Sequence, residues 1–160
     1  MDATYWIDNL QLQPHPEGGF YSETYRSATT SALPQGFDGT RSFSTAIYFL
    51  LRQQDRSVFH RIKSDEVWHR YAGGSLTLYV LTARGLTTHV LGDQLENGER
   101  PQVVIPAGSW FGAMVNDPHA YVLSGCTVSP GFDFRDFEMA DRQTLIGQYP
   151  DHVDIITRLT

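Results

Sequence analysis

Short runs of strand-forming residues, separated by turn signals, fill most of the chain between residues 44 and 137. Glycine, proline and asparagine mark the turns, and no helical pattern interrupts the series. Short strands at such regular spacing are typical of a β-sandwich or barrel, with a jelly roll as the natural arrangement. After an earlier strand at 20–26, the predicted strands are 44–51, 58–63, 66–71, 75–81, 86–91, 102–105, 109–115, 120–129 and 132–137.

Helical patterns are confined to the two ends of the chain. Asp2 can cap a short helix over residues 3–10, and two further short helices are predicted at 140–148 and 151–159. No repeat, low-complexity tract or linker divides the sequence. We therefore expect one domain, residues 1–160, that is all-β with a short N-terminal helix and two short C-terminal helices.

The composition excludes several classes of function. Hydrophobic residues make up 41% of the chain and charged residues 19%, and the formal net charge is −6, which argues against binding to nucleic acid. The single cysteine, Cys126, cannot form an internal disulfide, and its apolar strand predicts an inert thiol. No apolar run approaches the ~18 residues that a membrane-spanning helix needs. We expect a cytoplasmic protein without membrane contacts.

The stretch from residue 58 to residue 73 contains a histidine and a glutamate, His60 and Glu66, that are candidates for acid–base chemistry. Its two strands, 58–63 and 66–71, are predicted to form a hairpin around a turn at 63–65. Alternation of side chains places Glu66 and Trp68 on one face of the second strand. If His60 and Glu66 look into the same interior, burial and mutual charge can perturb the pKa values of both groups. They are candidate catalytic residues.

Two loops are further functional candidates. The loop 14–19 (PHPEGG) places His15 and Glu17 on a turn stiffened by prolines, with a glycine pair that permits close approach of the backbone. These two residues are candidate ligand contacts, although the loop can equally be a surface turn that fixes the start of the next strand. The polar loop 27–39 has the length of a lid or of a segment that contacts a partner.

The spacing of these residues resembles the motifs of the cupin superfamily. The first cupin motif, H-x-H-x3-E-x6-G, is matched by His60, Ile62, Glu66 and Gly73, so the second histidine is replaced. The second motif contains P-x-G-x2-H, and the segment PAGSWF matches it with Phe111 in place of the histidine. Together with four longer segments, these motifs resemble the cupin-5 family, also called DUF985, over nearly the whole chain. The segments are PHPEGGFYSETYRS, DEVWHRYAG, VIPAGSWFGA and GCTVSPGFDFRDFE.

The resemblance implies a cupin jelly-roll barrel and a homodimer, formed by strand pairing or by exchange of N-terminal segments. It also raises the question of a metal, because a typical metal cupin offers three histidines and a glutamate. Only His60 and Glu66 remain here, and Ile62 and Phe111 stand where two imidazoles would be. We therefore expect no tightly bound metal cofactor. A metal-dependent enzyme whose site is completed by His15 is the less favoured alternative.

Without a metal, the resemblance suggests a sugar epimerase or isomerase. Metal-free cupins that epimerise nucleotide-linked keto sugars use a histidine base and a tyrosine acid. By this analogy His60 is the base, Glu66 orients its imidazole, and an unidentified tyrosine is the acid. Aromatic side chains are expected to form the pocket walls and contact the ligand. The wall residues predicted to bind it are Tyr21, Trp68, Trp110 and Phe111.

A second hypothesis is binding without catalysis. In that case His60 and Glu66 form a structural pair, and the pocket belongs to a carrier or sensor of a sugar, a nucleotide or a base. The two hypotheses differ in what happens to the ligand. A sensor returns it unchanged, whereas an isomerase converts it or exchanges its protons with solvent.

Overall fold

The computed structural model describes residues 1–32, 36–118 and 120–160, and these residues form a β-sandwich with helices at both ends. The helices are α1 (Ala3–Asn9), α2 (Arg142–Gln148) and α3 (Val153–Arg158). In chain order the strands are β1 (Gln13–Pro14), β2 (Phe20–Arg26), β3 (Thr30–Ala32), β4 (Thr40–Ser42), β5 (Thr45–Arg52), β6 (Ser57–Arg61), β7 (Asp65–Gly73), β8 (Leu76–Thr82), β9 (Gly85–Leu91), β10 (Gln102–Ile105), β11 (Trp110–Val115), β12 (Tyr121–Ser129) and β13 (Glu138–Met139).

Two antiparallel sheets provide the two layers. The six-stranded sheet has the order β1-β2-β5-β12-β7-β10, and the five-stranded sheet has the order β13-β6-β11-β8-β9. Strands β3 and β4 form a small separate hairpin, in which β3 lies within the predicted loop 27–39 and β4 directly follows it. Residues 33–35 of that loop lie outside the described residues. The architecture confirms the all-β prediction.

The predicted hairpin at 58–71 is wrong. Strand β6 pairs with β11 and β13 in the five-stranded sheet, whereas β7 pairs with β10 and β12 in the six-stranded sheet. The short connection between them therefore carries the chain from one sheet to the other. Alternation still gives the correct face, because His60 and Glu66 are both buried and both point into the space between the sheets. They face each other from opposite layers.

The segment 132–137 was predicted as a strand, and this is also wrong, because Phe134–Asp136 is a short 3-10 helix. The Asp133 carboxylate accepts a hydrogen bond from the backbone N–H of Arg135 at 2.9 Å, which closes a local turn. Such side-chain to backbone bonds compete with strand pairing. The turn brings three phenylalanines to the edge of the interior.

Aspartate side chains cap two of the terminal helices, and the second of these begins at Arg142 rather than at the predicted residue 140. Asp2 accepts a hydrogen bond from the backbone N–H of Tyr5, and Asp141 accepts one from that of Thr144, each at 2.9 Å. Helix α1 packs on the outside of the six-stranded sheet, and α2 and α3 pack on the five-stranded sheet. No helix in the described ranges is both long and apolar enough to cross a membrane.

The interior between the sheets has two parts. One part is filled by apolar side chains, and it includes Leu76, Leu78, Val80, Leu91 and Val103. The other part is left open as a cavity. The polar residues singled out by the sequence must therefore be sought around that cavity.

Candidate functional site

A cavity of about 320 Å³ opens between the two sheets. Its lining comes from the β1–β2 loop, from the strands of both sheets and from the segment 132–137. This volume lies at the lower end of the range typical of small-molecule sites. The lining residues are His15, Glu17, Tyr21, Glu23, Arg26, Thr45, Ile47, Phe49, His60, Ile62, Glu66, Cys126, Val128, Phe132, Asp133, Phe134 and Phe137.

The β1–β2 loop folds inward and delivers His15 and Glu17 to the cavity. The backbone N–H of Val58 donates to the carbonyl oxygen of Glu17 at 2.9 Å, which fastens the loop to β6. Gly18 has a φ of +106°, and a Cβ at this position would lie 2.0 Å from the carbonyl oxygen of Arg56. Only glycine allows this approach. The loop is therefore held against the strand that carries His60.

Glu17 and His60 are buried residues of the cavity lining that are in direct polar contact. The Nδ1 atom of His60 lies 2.7 Å from the carbonyl oxygen of Val58, so Nδ1 carries a hydrogen and donates it. The Nε2 atom lies 3.0 Å from Oε2 of Glu17. If the imidazole is neutral, Nε2 is an acceptor and Glu17 must supply the proton. If Glu17 is ionised, the imidazole is doubly protonated. The contact holds one shared proton in either case.

Burial brings the proton affinities of the two partners together. Loss of solvent raises the pKa of the Glu17 carboxyl, an effect that the neighbouring His15 and the Ser57 hydroxyl partly offset. Loss of solvent lowers the pKa of His60, against the attraction of Glu66 and the bond to Val58. Carboxyl and imidazole therefore shift toward each other. These shifts reduce the difference in proton affinity that separates a free carboxyl from a free imidazole.

Glu17 has further partners in the loop and in β6. The hydroxyl of Ser57 donates to Oε1 at 2.8 Å. The Nδ1 atom of His15 accepts the backbone N–H of Glu17 at 3.2 Å and lies 3.5 Å from Oε2. Burial lowers the pKa of His15, which favours its neutral form. Both oxygens of this carboxyl are thus engaged within the protein.

Glu66 faces this group from the opposite sheet. Burial and the charge of Glu17 raise the pKa of Glu66 to about 7. His60, the Cys126 thiol and the indole N–H of Trp68 oppose the shift, although the Trp68 Nε1 makes no hydrogen bond of normal geometry in the described structure. Burial and the same carboxyl raise the pKa of Cys126 well above its usual value, so the thiol stays protonated. Glu66 is thus a buried carboxyl that gains or loses a proton near neutral pH.

The predicted orienting role of Glu66 needs correction. The groups that fix the imidazole of His60 are the carbonyl oxygen of Val58 and the carboxyl of Glu17. Within the described residues, Glu66 makes no ion-pair contact with His60 within 4.0 Å, although the two groups interact electrostatically. No local spacing could have identified Glu17 as the partner of His60, because the two residues meet only through packing of the loop against β6.

Five of the predicted site residues line the cavity, and three do not. The five are His15, Glu17, Tyr21, His60 and Glu66. Trp68 and Phe111 are buried in the apolar part of the interior, where the ring centroid of Phe111 lies 4.1 Å from that of His60. Trp110 packs with the C-terminal helices, and the guanidinium of Arg61 lies 4.4 Å from its ring centroid. The expectation that these three form the cavity walls was wrong.

Phenylalanines that the sequence did not single out form the walls instead. Phe49 comes from β5, while Phe132, Phe134 and Phe137 come from the segment that was predicted as a strand. The last three pack against one another with ring centroids 5.0 to 6.1 Å apart. The ring of Phe137 also lies 5.4 Å from that of His60. The clustering of these residues in FDFRDF was the signal that could have identified them.

A buried ion pair holds this aromatic segment in place. Nε and Nη2 of Arg41 donate to the two carboxylate oxygens of Asp136 at 2.7 and 2.8 Å. Both side chains are almost fully buried, with 1% and 5% exposure. A paired, two-pronged bond of this kind fixes geometry as well as charge. The wall is therefore attached to the β3–β4 region by a defined clamp.

Charged groups at the mouth are neutralised by one another. Arg26 donates to the two carboxylate oxygens of Glu23 at 3.0 and 2.7 Å and to the carbonyl oxygen of Phe132 at 3.0 Å. Asp133 is paired with Arg135 at 2.8 Å. These pairs leave the interior carboxyls as the main electrostatic feature of the cavity.

The donors around the cavity do not fit a cupin metal centre. Both nitrogens of His60 are engaged, and Ile62 and Phe111 offer no donor atom. Within residues 1–32, 36–118 and 120–160, no group of three or more His, Cys, Asp or Glu side chains is arranged to hold a metal ion. Transition metals generally require at least three protein donors. No step of the proposed chemistry is therefore assigned to a metal.

Solved structures share this architecture over the whole chain. A protein from Leishmania major is 37% identical, with a TM-score of 0.93 and coverage of 100% of this chain and 99% of its own. A protein from Shewanella oneidensis is 43% identical, with a TM-score of 0.90 and coverage of 100% and 98%. Oxalate decarboxylase from Bacillus subtilis, at 13% identity and a TM-score of 0.57, covers 93% of this chain and 37% of its own, and it shares the fold alone.

Sequence comparison identifies the family. An uncharacterised protein of Saccharomyces cerevisiae is 31% identical over 143 residues, which are 81% of this chain and 71% of the yeast protein. The family model described as "Cupin superfamily (DUF985)" matches residues 4–140. The predicted resemblance is confirmed, and the chain belongs to the DUF985 family of the cupin superfamily.

Proposed function

We propose that the cavity binds a small polar molecule with a carbonyl group, such as a sugar derivative, and catalyses its isomerisation or epimerisation by proton transfer. The observation that carries this proposal is the buried contact of 3.0 Å between His60 Nε2 and Glu17 Oε2 in the cavity lining. Proton-transfer catalysis requires a group near its own pKa within reach of the substrate. Burial shifts the pKa values of Glu17 and His60 toward each other, which supports the first condition, and the position of the pair on the cavity wall supports the second.

The chemistry needs no external oxidant or reductant. Once the pair has released its shared proton to solvent, Glu17 is ionised and His60 is neutral, and the pair can accept a proton from the carbon next to the carbonyl group. The electrons of the broken C–H bond form a C=C bond, and the carbonyl π electrons move to oxygen, giving an enolate. Return of a proton to the opposite face of the same carbon gives an epimer. Return to the former carbonyl carbon, after a proton shift between the oxygens, gives an isomer.

Glu66 is the second acid–base group in this scheme. It extends from the sheet opposite His60, and its pKa of about 7 allows it to donate or accept a proton at neutral pH. It takes the acid role that was first given to an unidentified tyrosine. Tyr21, the tyrosine within the cavity lining, is instead assigned to ligand contact beside His15, with ring centroids 4.5 Å apart.

Solvent exchange tests the proposal directly. Ketoses and aldoses are incubated with the protein in deuterium oxide, and deuterium at the carbon next to the carbonyl is measured by NMR. We expect exchange with the native protein and a loss of about 100-fold or more with His60→Asn, the scale of general acid–base catalysis. Folding of the variant is checked by circular dichroism.

His69→Asn is the matched control for this experiment. His69 lies on the other face of the six-stranded sheet, where it is hydrogen-bonded to Thr127 and Gln102 at 3.1 Å each. Exchange by this variant should equal that of the native protein. Undiminished exchange by a folded His60→Asn protein would disprove the mechanism.

Binding without catalysis is the second candidate function. It is favoured by the fact that both oxygens of Glu17 already have protein partners, as in a structural network. A ligand would then raise the melting temperature yet be recovered unchanged and without deuterium. The exchange experiment separates the two functions once a stabilising ligand is found.

A further inference from the structure

We infer that the ligand of this cavity carries a positive charge, as a protonated amine on a small polyhydroxy compound held between Glu17, Glu66 and the aromatic walls. This inference rests on the proposed function only in taking the cavity as the ligand site. It adds a chemical class to that site. The class is an amino sugar or a similar polyhydroxy amine.

The first argument is the distribution of charge in the lining. Glu17 and Glu66 lie inside, with 7% exposure each, and in the described part of the chain no lysine or arginine nitrogen lies within 4.0 Å of either carboxyl. Arg26, the arginine of the lining, is bound by Glu23 and by a backbone carbonyl. Among the described lining residues, an anionic ligand would find no unpaired lysine or arginine, whereas a cationic ligand would find Glu66 and the Glu17 carboxyl that His60 contacts.

The second argument is the nature of the walls. Five aromatic rings line the same space as the two carboxyls, namely Tyr21, Phe49, Phe132, Phe134 and Phe137. The face of an aromatic ring carries negative potential and attracts organic cations, especially where water is excluded. The apolar stem of an amine also gains from contact with such rings. Carboxyls within aromatic walls are the combination that suits an organic ammonium group.

The third argument is that the protein groups around the cavity disfavour ionisation of both carboxyls at once. The charge of Glu17 acts on Glu66 in the same direction as burial, and both favour the protonated acid. The other titratable groups that act on Glu66 are His60 and Cys126, and the cysteine stays a neutral thiol. A bound ammonium group supplies the missing charge, so its binding should expel the proton of Glu66.

A set of three polyols with matched carbon chains provides the test. The probes are 1-amino-1-deoxy-sorbitol, which is a cation throughout the range used, sorbitol, which is neutral, and gluconate, which is an anion. Titration calorimetry measures each dissociation constant at about pH 6 and about pH 8, on either side of the pKa of Glu66. We expect the amine to bind at least ~10-fold more tightly than the other two.

The pH dependence sharpens the test. Affinity for the amine should rise by up to about 10-fold between pH 6 and pH 8, because protons no longer compete for Glu66. The Glu66→Gln variant should lose most of this rise, and Glu138→Gln should keep it, because Glu138 pairs with Arg61 at the surface. Calorimetry in two buffers of different ionisation enthalpy should also show proton release.

Three results would overturn the inference. They are equal or tighter binding of sorbitol or gluconate, no detectable binding of the amine at millimolar concentration, and a stoichiometric divalent metal in protein purified without chelator that is lost in His60→Ala. The deuterium exchange experiment is independent of all three. Amine binding without exchange would leave the charge preference standing and remove the proposed catalysis, whereas exchange on neutral sugars alone would do the reverse.

Discussion

The two parts of the interior are built from the same sheets, yet they hold very different side chains. In the apolar part, residues such as Leu76, Leu78 and Leu91 are completely buried. Around the cavity, Glu17, His60 and Glu66 are nearly as buried but carry ionisable groups. Burial stabilises the first set through the hydrophobic effect and destabilises the charged forms of the second. One interior therefore combines a stabilising region with a region that lowers stability.

This difference teaches where the selective pressure on the fold lies. Apolar side chains at His60 and Glu66 would satisfy the sheets equally well, because alternation requires only that the residue face inward. Proteins commonly keep buried ionisable groups of this kind where activity depends on them, at the expense of stability. The comparison yields measurable consequences for stability in both regions.

The largest expected effect is in the clamp behind the aromatic wall. Asp136→Ala leaves the buried guanidinium of Arg41 without its partner and should lower the free energy of unfolding by about 3–5 kcal/mol. Urea denaturation measures this change. Glu138→Ala removes an exposed partner of Arg61 and should cost about 1 kcal/mol or less. Equal losses in the two variants would mean that the clamp contributes nothing special.

The apolar part should respond as a packed core. Leu78→Ala removes a fully buried side chain and should lower the free energy of unfolding by about 2–5 kcal/mol through lost burial and the cavity left behind. The control is Val104→Ala on β10, where the side chain is 52% exposed. That change should stay within about 0.5 kcal/mol. A small effect at Leu78 would show that this part of the interior is loosely packed.

Removing the ionisable group of Glu66 from the cavity should raise stability above neutral pH, whereas removing an apolar core side chain lowers it. The pKa of Glu66 is raised from 4.5 to about 7, so the folded state binds this proton more tightly than the unfolded state does. Native stability should therefore fall as pH rises from 4.5 to 7, by at most ~3.5 kcal/mol at about 1.4 kcal/mol per pKa unit. Glu66→Gln should remove this decline and be the more stable protein at pH 8.

Urea titrations at several pH values measure the difference. The contribution of other groups cancels when the native protein and Glu66→Gln are compared at each pH. Parallel curves for the two proteins would mean that the carboxyl of Glu66 is not perturbed by its surroundings. The comparison of the two regions would then lose its electrostatic basis.

The sequence predicted the faces of the strands better than their partners. Alternation placed His60 and Glu66 inside, and Asp2 correctly indicated the start of the first helix. Pairing depends on contacts distant in sequence, and for that reason the expected hairpin at residues 58–71 proved to be a crossing between sheets. Periodicity carries no information about which layer receives a strand.

The candidate site was predictable only where it depends on local sequence patterns, and not where it depends on contacts distant in sequence. The loop with His15 and Glu17 was identified from its prolines and glycines, but the contact between Glu17 and His60 depends on tertiary packing. The segment 132–137 has a strand-like alternation of aromatic residues, which the cap by Asp133 and the pairing of Asp136 with Arg41 override. The strand propensity of a segment is overridden where capping bonds and tertiary ion pairs favour another conformation.

The inward fold of the β1–β2 loop has a consequence for how this site can change over generations. Two of its ionisable groups, His15 and Glu17, depend on one backbone position, Gly18, whose missing side chain permits the approach to Arg56. A single nucleotide substitution at the Gly18 codon could displace His15 and Glu17 from the cavity together, while every ionisable residue of the site stayed in the sequence. A lineage could thus silence the site in one step and regain it by simple reversion.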